Sequence, residues 1–467
     1  MRESVFIPSS ARKRRSDTMR AYPESGQQLP RGWSRARLDD VARRASGHTP
    51  SQAKPQYWNG GIKWVSLADS GNLDCGYISE TDKEISALGI RHSSAVLLPA
   101  ETVIVSRDAG VGRSAVLKTE MAVSQHFIAW SCRPTNKLDP WFLYAWLQIR
   151  KPFFERMAVG STIKTIGLPV FKRLTIDFPS LAEQRKIAEI LRTWDEALYK
   201  LASLRSAILQ RRAWLRSHLL TGQTRLPGYT KQWETMPLSA VLKQHRQTST
   251  GAEEVNSVSL HKGLVNQIEH LGRSFAAAET GHYNRVLPGD IVYTKSPTGD
   301  FPLGIIKQSR VDRPVIVSPL YGVFTPITWS LGVILDAYFE SPVTVRNYLH
   351  PLVQKGAKNT IGIMNIRFLE GRLPLPTSES EQAAIAEVIE TSRVELDLID
   401  AEIDALTCQK RGLMQKLLTG EWRVQLHPTD PNVPIQEVAH AEYEKLLDSM
   451  APGREVGSEA RRFSSGQ

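Results

Sequence analysis

The chain has 467 residues, 59 Lys and Arg against 48 Asp and Glu, a formal net charge of +11 and a pI near 9.5. With 41 % hydrophobic residues it has material for sizeable cores, about three domains at the usual size, which excludes a disordered chain. Cys75, Cys132 and Cys408 form no CxxC pair and have no neighbouring His cluster, so no metal site or disulfide framework is expected, and a reducing cytoplasm fits.

In chain order, residues 1–28 form an arm with the basic run Arg12-Lys13-Arg14-Arg15. No apolar core follows that run, so it reads as a solvated or phosphate-binding arm and not as a secretory signal. Residues 29–179 read as a globular segment of mixed strand and helix, with a strand at Val103 to Ser106 after Leu98-Pro99 and an amphipathic helix from Trp141 to Ile149. Residues 180–222 read as one long helix, opened by a capping box of Ser180 and Glu183 and closed by Gly222. Residues 223–377 are a second globular segment with a strand at Ile291 to Thr294, and residues 378–420 a second long helix, from Ser378 and Glu381 to Gly420. Residues 421–467 are a C-terminal tail. One stretch, Pro314 to Leu335, lacks any charge, as a membrane span would, but Pro319, Pro326 and its β-branched first part read as buried strand.

Self-comparison shows that this order is a tandem repeat. Glu183-Gln184 maps onto Glu381-Gln382, and Leu219-Leu220-Thr221-Gly222 onto Leu417-Leu418-Thr419-Gly420, at the same offset of 198. Upstream, Thr165-Ile166-Gly167 answers Thr360-Ile361-Gly362, Val123-Ser124 answers Val317-Ser318, and Trp33 answers Trp233. The uncharged stretch therefore aligns with an ordinary soluble region.

Within the helices the apolar residues follow a 4,3 spacing. Ile187, Leu191, Trp194, Leu198, Leu201, Ile208, Leu215 and Leu219 form one seam, broken by Arg205; Ile385, Ile389, Leu396, Ile399, Ile403, Leu406, Leu413 and Leu417 form the other, broken by Ser392 and Lys410. A 3.5-residue repeat of this length predicts a coiled coil. The first helix carries 8 basic and 4 acidic residues and the second 4 and 9, so opposite charge favours their pairing with each other. The globular segments carry net charges of +7 and +5, the footprint of modules that meet a polyanion.

Chemistry of other kinds is missing from the sequence. There is no GxxxxGK[ST] loop, Gly110-Val111-Gly112-Arg113 is half of a GxGxxG and reads as a turn, and no Asn/Asp-Pro-Pro-aromatic string is present for amino-methyl transfer. His126 and His261 read as ordinary histidines, and no nucleophile and base share a motif. The chain is expected to catalyse nothing by itself. Candidate DNA contacts lie at matching places in the repeats: Ser161, Thr162 and Lys164 with Lys355, Lys358 and Asn359 ahead of the Thr-Ile-Gly match, and Arg107 and Arg113 with Lys295 and Lys307 beside the paired strands. Arg and Asn suit base edges and Lys suits phosphate.

The order of globular segment, helix from Glu-Gln to Leu-Leu-Thr-Gly, globular segment and second such helix resembles the specificity subunit of type I restriction-modification enzymes, over Leu29 to Gly420. The resemblance implies an α+β fold of two similar target recognition domains separated by two antiparallel coiled-coil spacer helices, a pseudo-twofold internal repeat. It also implies a non-catalytic subunit that binds double-stranded DNA in the cytoplasm. Each domain would read half of an asymmetric bipartite target, and the helices would set the gap and dock two methyltransferase subunits, joined by two restriction subunits. S-adenosylmethionine, ATP and Mg would belong to those partners, none to this chain. The basic arm and the tail lie outside the resemblance. Two alternatives stay open: a specificity subunit of a methyltransferase-only or combined cleavage-methylation system, and a coiled-coil scaffold that binds DNA without sequence preference.

One heptad is about 10 Å of helix, or about three base pairs at 3.4 Å each. Inserting one heptad into both helices is expected to widen the gap of the target by that amount and leave both half-sites unchanged, as read by methylation mapping.

Overall fold

The computed structural model describes residues 28–271, 279–355 and 361–426. The chain divides into two compact units, Met1–Ala202 with Ile403–Gln467, and Ser203–Glu402, so each long helix contributes one half to each unit.

In the first unit a five-stranded sheet runs in the order Arg43–Ser46, Phe127–Ser131, Val103–Ser106, Ser114–Leu117 and Tyr77–Ile78, antiparallel except for its last pair. Successive side chains of a strand point to opposite faces, and here both faces are apolar. Val103, Val105, Val116, Ile128 and Trp130 pack into the larger core with the helix Pro140–Ile149, whereas Ile104, Ala115, Leu117, Phe127 and Ala129 line a second core on the other face. That is why the strands read as unbroken apolar runs.

The second unit repeats this plan. Its sheet order is Leu242–Gln244, Gly322–Pro326, Ile291–Tyr293 and Ile306–Gln308, the same four strands in the same order. Ile291, Tyr293, Ile306 and Phe324 pack with the helix Trp329–Tyr338, and Val292 and Val323 face the smaller core. A two-stranded ribbon closes each domain onto its helix: Ser34–Arg37 pairs with Thr175–Phe178, and Glu234–Pro237 with Arg372–Leu375. The uncharged stretch is the strands Val315–Val317 and Gly322–Pro326 and the helix Trp329–Tyr338. Among the described residues no helix is long and apolar enough to cross a membrane.

The long helices span Leu181–Leu219 and Glu379–Leu418, each about 60 Å at 1.5 Å per residue. All sixteen seam residues are buried or half-buried, whereas Tyr199, Leu204, Leu209, Trp214, Val394 and Leu398, off the seam, are exposed. Ion pairs report their direction: in the second unit Arg205 binds Asp400 and Arg211 binds Glu395, and in the first Lys410 binds Asp195. Partner numbers fall along one helix as they rise along the other, so the helices pair antiparallel. Arg205 and Lys410, which interrupt the apolar repeat, each meet a carboxylate.

At the start of the first long helix the expected capping box forms only in part, and at the second the Ser378 hydroxyl meets that of Ser380 at 2.8 Å and not the Glu381 N–H. Ser180 Oγ accepts the Glu183 N–H at 3.3 Å, but both carboxylate oxygens of Glu183 face Arg423, each at 2.7 Å. Glu381 is held in the same way by Arg225 at 2.6 and 2.7 Å and accepts the Trp233 indole N–H at 3.1 Å. Each arginine stands three residues past the glycine that ends the opposite helix. Gly222 and Gly420 both have φ +71°, in the left-handed region that favours glycine. The neighbouring glutamines staple the domain helices. Gln184 accepts the N–H of Asp139, the N-cap of Pro140–Ile149, at 2.8 Å, and Gln382 accepts from the hydroxyl of Thr328, the N-cap of Trp329–Tyr338, at 3.3 Å.

These pairs differ in burial. The Glu381 side chain is 1 % exposed and its Arg225 23 %, whereas Arg423 is 46 % exposed. Removing one partner of a buried pair costs roughly 3–5 kcal/mol, and more exposed pairs are worth much less. Arg225→Ala is therefore expected to destabilise the chain by about 3 kcal/mol and Arg423→Ala by about 1–2 kcal/mol, ranked by urea unfolding.

Candidate nucleic-acid interface

At one end of the first unit's sheet, backbone pairing brings three loops together. Arg107 donates its N–H to the His126 carbonyl and accepts from Ile166, both at 2.9 Å. Val159 and Thr165 exchange both backbone hydrogen bonds, at 3.0 and 2.9 Å, closing Gly160 to Lys164 into a hairpin tip. The tip depends on glycine: Gly160 has φ +120°, and a Cβ there would lie 2.3 Å from the Ile163 carbonyl oxygen. The loop after the strand Arg43–Ser46 joins them, with the His48 N–H bonded to the Val123 carbonyl at 3.0 Å and Thr49 Oγ1 bonded to Gln125. His126 Nδ1 meets Asp108 Oδ2 at 2.7 Å.

The sequence candidates fall into distinct groups on this frame. Ser161, Thr162 and Lys164 are exposed on the hairpin tip. Arg107 sits at its base with a 20 % exposed side chain, 4.0 Å from Asp108. Arg113 spends its guanidinium within the fold: Nη1 donates to the Ser70 carbonyl at 2.7 Å and Nε lies 3.9 Å from Asp74, which Lys151 also holds at 2.8 Å.

In the second unit Lys295 is half-buried, in a left-handed conformation with φ +58°, and burial lowers the pKa of its ammonium. Lys307 is a correction. Its side chain is 10 % exposed and its Nζ lies 4.0 Å from Asp336, inside a network that includes Arg393 at 2.8 Å and Arg310 at 3.7 Å, so it is committed to the fold. Lys355 lies in Gln354–Lys355, which pairs with Ile361–Gly362, a hairpin placed like that of Val159 and Thr165. Its tip, with Lys358 and Asn359, falls outside the described residues.

Residues that the sequence reading passed over also belong here. His126 reads as an ordinary histidine until the fold sets it against Asp108, eighteen positions away. Val159 and Ile163 are 73 % and 59 % exposed on the hairpin, which apolar periodicity alone does not signal. Arg225 and Arg423 carry one signal in the sequence, since the repeat offset of 198 extends to them three residues past Leu-Leu-Thr-Gly, but nothing there names Glu381 and Glu183 as their partners.

Residues 30–206 match the family described as Type I restriction modification DNA specificity domain. The chain is 26 % identical over 172 residues to the specificity subunit of the type I restriction enzyme MjaIX of Methanocaldococcus jannaschii, a match that spans 36 % of this chain and 39 % of that relative. To the MjaVIII specificity subunit of the same organism it is 21 % identical over 437 residues, 86 % of this chain and 95 % of the relative. Among solved structures, the S subunit of a type I restriction-modification system from M. genitalium superposes with a TM-score of 0.53 at 16 % identity, covering 87 % of this chain and 99 % of that one. The fold is therefore that of these S subunits, and the chain resembles the specificity subunits of type I enzymes.

Lys164 and Lys307 separate the two roles of a basic residue. Lys164→Ala is expected to weaken binding to all duplexes alike and to reduce the slope of log K against log salt by about 0.9, the value for one phosphate contact, with an unchanged unfolding midpoint. Lys307→Ala should lower the unfolding midpoint instead.

Proposed function

We propose that this chain, like the specificity subunits it resembles, is the non-catalytic DNA-recognition subunit of a type I restriction-modification complex. The observation that carries this is duplication with divergence. The two units share four strands in one order, the same helix-end clasp and the same glutamine staple, yet differ at the loops that the shared sheet presents. A common scaffold with unlike loops suits two readers of unlike half-sites. The net charges of +7 and +5 on the globular segments supply the attraction to phosphate.

In this reading each domain reads one half of an asymmetric bipartite target, as paired readers do at half-sites about one helical turn apart, roughly 34–36 Å. The long helices act as a ruler. Their length is fixed by caps and their register by Arg205–Asp400 and Lys410–Asp195, so the gap is a property of the protein and not of the DNA.

Docking of two methyltransferase subunits on these helices is supported by the outer side of the second helix. Thr391, Val394, Leu398 and Ala401 recur there at 3- and 4-residue spacing, all exposed and uncharged, in a helix otherwise rich in Asp and Glu. Exposed apolar stripes rimmed by charge mark protein contacts. Two restriction subunits would complete the complex, with S-adenosylmethionine, ATP and Mg held by the partners.

Exchange of residues 29–179 for the matching segment of another such subunit is expected to change one half-site only, as read by methylation mapping of the reconstituted complex. A change in both halves would exclude modular reading. Binding without any sequence preference would favour the scaffold alternative.

A further inference from the structure

Resting on the DNA-reading function proposed above, we infer that Ile163, with Val159 beside it, is a specificity-determining contact to the C5-methyl group of a thymine in the half-site read by the first domain. The hairpin from Val159 to Thr165 exposes large apolar residues where a loop gains nothing from them in water: Val159 is 73 % exposed, Ile163 59 %, and Met157 just before it 41 %. Single exposed apolar residues are commonplace, but here three fall within seven positions at one loop.

The neighbours of these residues are those of a nucleic-acid contact. Ser161 and Thr162 can donate to or accept from a base edge, and Lys164 suits phosphate. The tip is also preformed. Two backbone hydrogen bonds close it, Gly160 permits its turn, and the Ile166 N–H bond to the Arg107 carbonyl at 2.9 Å anchors its base to the sheet. A rigid tip loses little conformational freedom on binding. The major groove is wide enough for such a two-stranded ribbon, and thymine alone among unmodified bases presents a methyl group there. Of the groups on the groove floor, that methyl offers a branched aliphatic side chain the largest apolar contact.

The test compares duplexes carrying the methylation-mapped target, with unmodified cytosines, against duplexes in which deoxyuridine replaces each thymine of the first domain's half-site. Binding of the full chain, with its methyltransferase subunits where these are needed for solubility, is read by fluorescence anisotropy. The wild-type chain is expected to bind the deoxyuridine duplex about fourfold more weakly, the equivalent of one buried methyl group. Ile163→Ala should bind both duplexes equally, with circular dichroism and unfolding midpoint unchanged. Equal wild-type affinity for the two duplexes, an undiminished ratio in Ile163→Ala, or a half-site made only of G·C pairs would overturn the inference. So would loss of methyltransferase-subunit binding by Ile163→Ala with the ratio intact, which would make these residues a protein contact. Absence of any sequence preference in the wild-type chain would overturn the DNA-reading function itself, an outcome distinct from an unchanged ratio.

Discussion

A carboxylate and an amide at the start of each long helix have almost no access to water, and this governs how each unit is built. The side chain of Glu183 is 5 % exposed and that of Glu381 1 %, while Gln184 and Gln382 are 0 % and 6 % exposed as residues. Burying such groups is costly unless each finds a partner. The glutamate finds an arginine just past the end of the opposite helix; the glutamine finds the N-cap of the domain helix. Each pair therefore ties three elements together: the start of one long helix, the exit from the other and the helix that backs the sheet. The Glu-Gln dipeptide is a joint, and a substitution in it loosens a domain from its own half of the helix pair.

Along the helices the seam is apolar, with charge admitted at a few places. Arg205 and Lys410 occupy seam positions, and a displaced register would separate them from Asp400 and Asp195. Charged seam residues of this kind lower stability in exchange for a single register. The second unit adds a buried network in which Asp336 and Glu340 gather Arg393, Arg212 and Arg216 from both long helices. Burial raises the pKa of Asp336, and the surrounding cations oppose that rise. In the first unit Leu147 stands where Asp336 does, counted from the N-caps Asp139 and Thr328, and the neighbouring Gln148 donates to Asp74 and Ser114 at 2.8 Å. The Glu-Gln joints are thus alike in both units, while the charged network of Asp336 and Glu340 is an addition of the second.

If the chain reads DNA as proposed, a fixed helix register suits measurement along a duplex and readout falls to the loops. On the function proposed above, specificity would reside in short segments such as Val159 to Thr165, which are held by backbone bonds whatever their side chains. Such a division allows a target to change without disturbing what holds the fold.

Much of this was legible in the sequence. The tandem repeat, the two long helices, their seams and their opposite charges follow from periodicity and self-comparison, because a 3.5-residue apolar pattern admits few other structures. The strands at Val103 and Ile291 were legible as apolar runs between turns. Partners far apart in the chain were not. Glu183 reads locally as half of a capping box, and only folding brings Arg423, 240 positions away, to take its carboxylate. Lys307 reads as a free cation beside a strand, and only the packing of Trp329–Tyr338 onto that strand sets Asp336 against it. The hairpin tip shows its apolar face only once Val159 and Thr165 have paired. Local pattern determined the elements and their order; the distribution of charge between holding the fold and facing outward was decided by tertiary contacts, since burial and distance exist only in the folded chain.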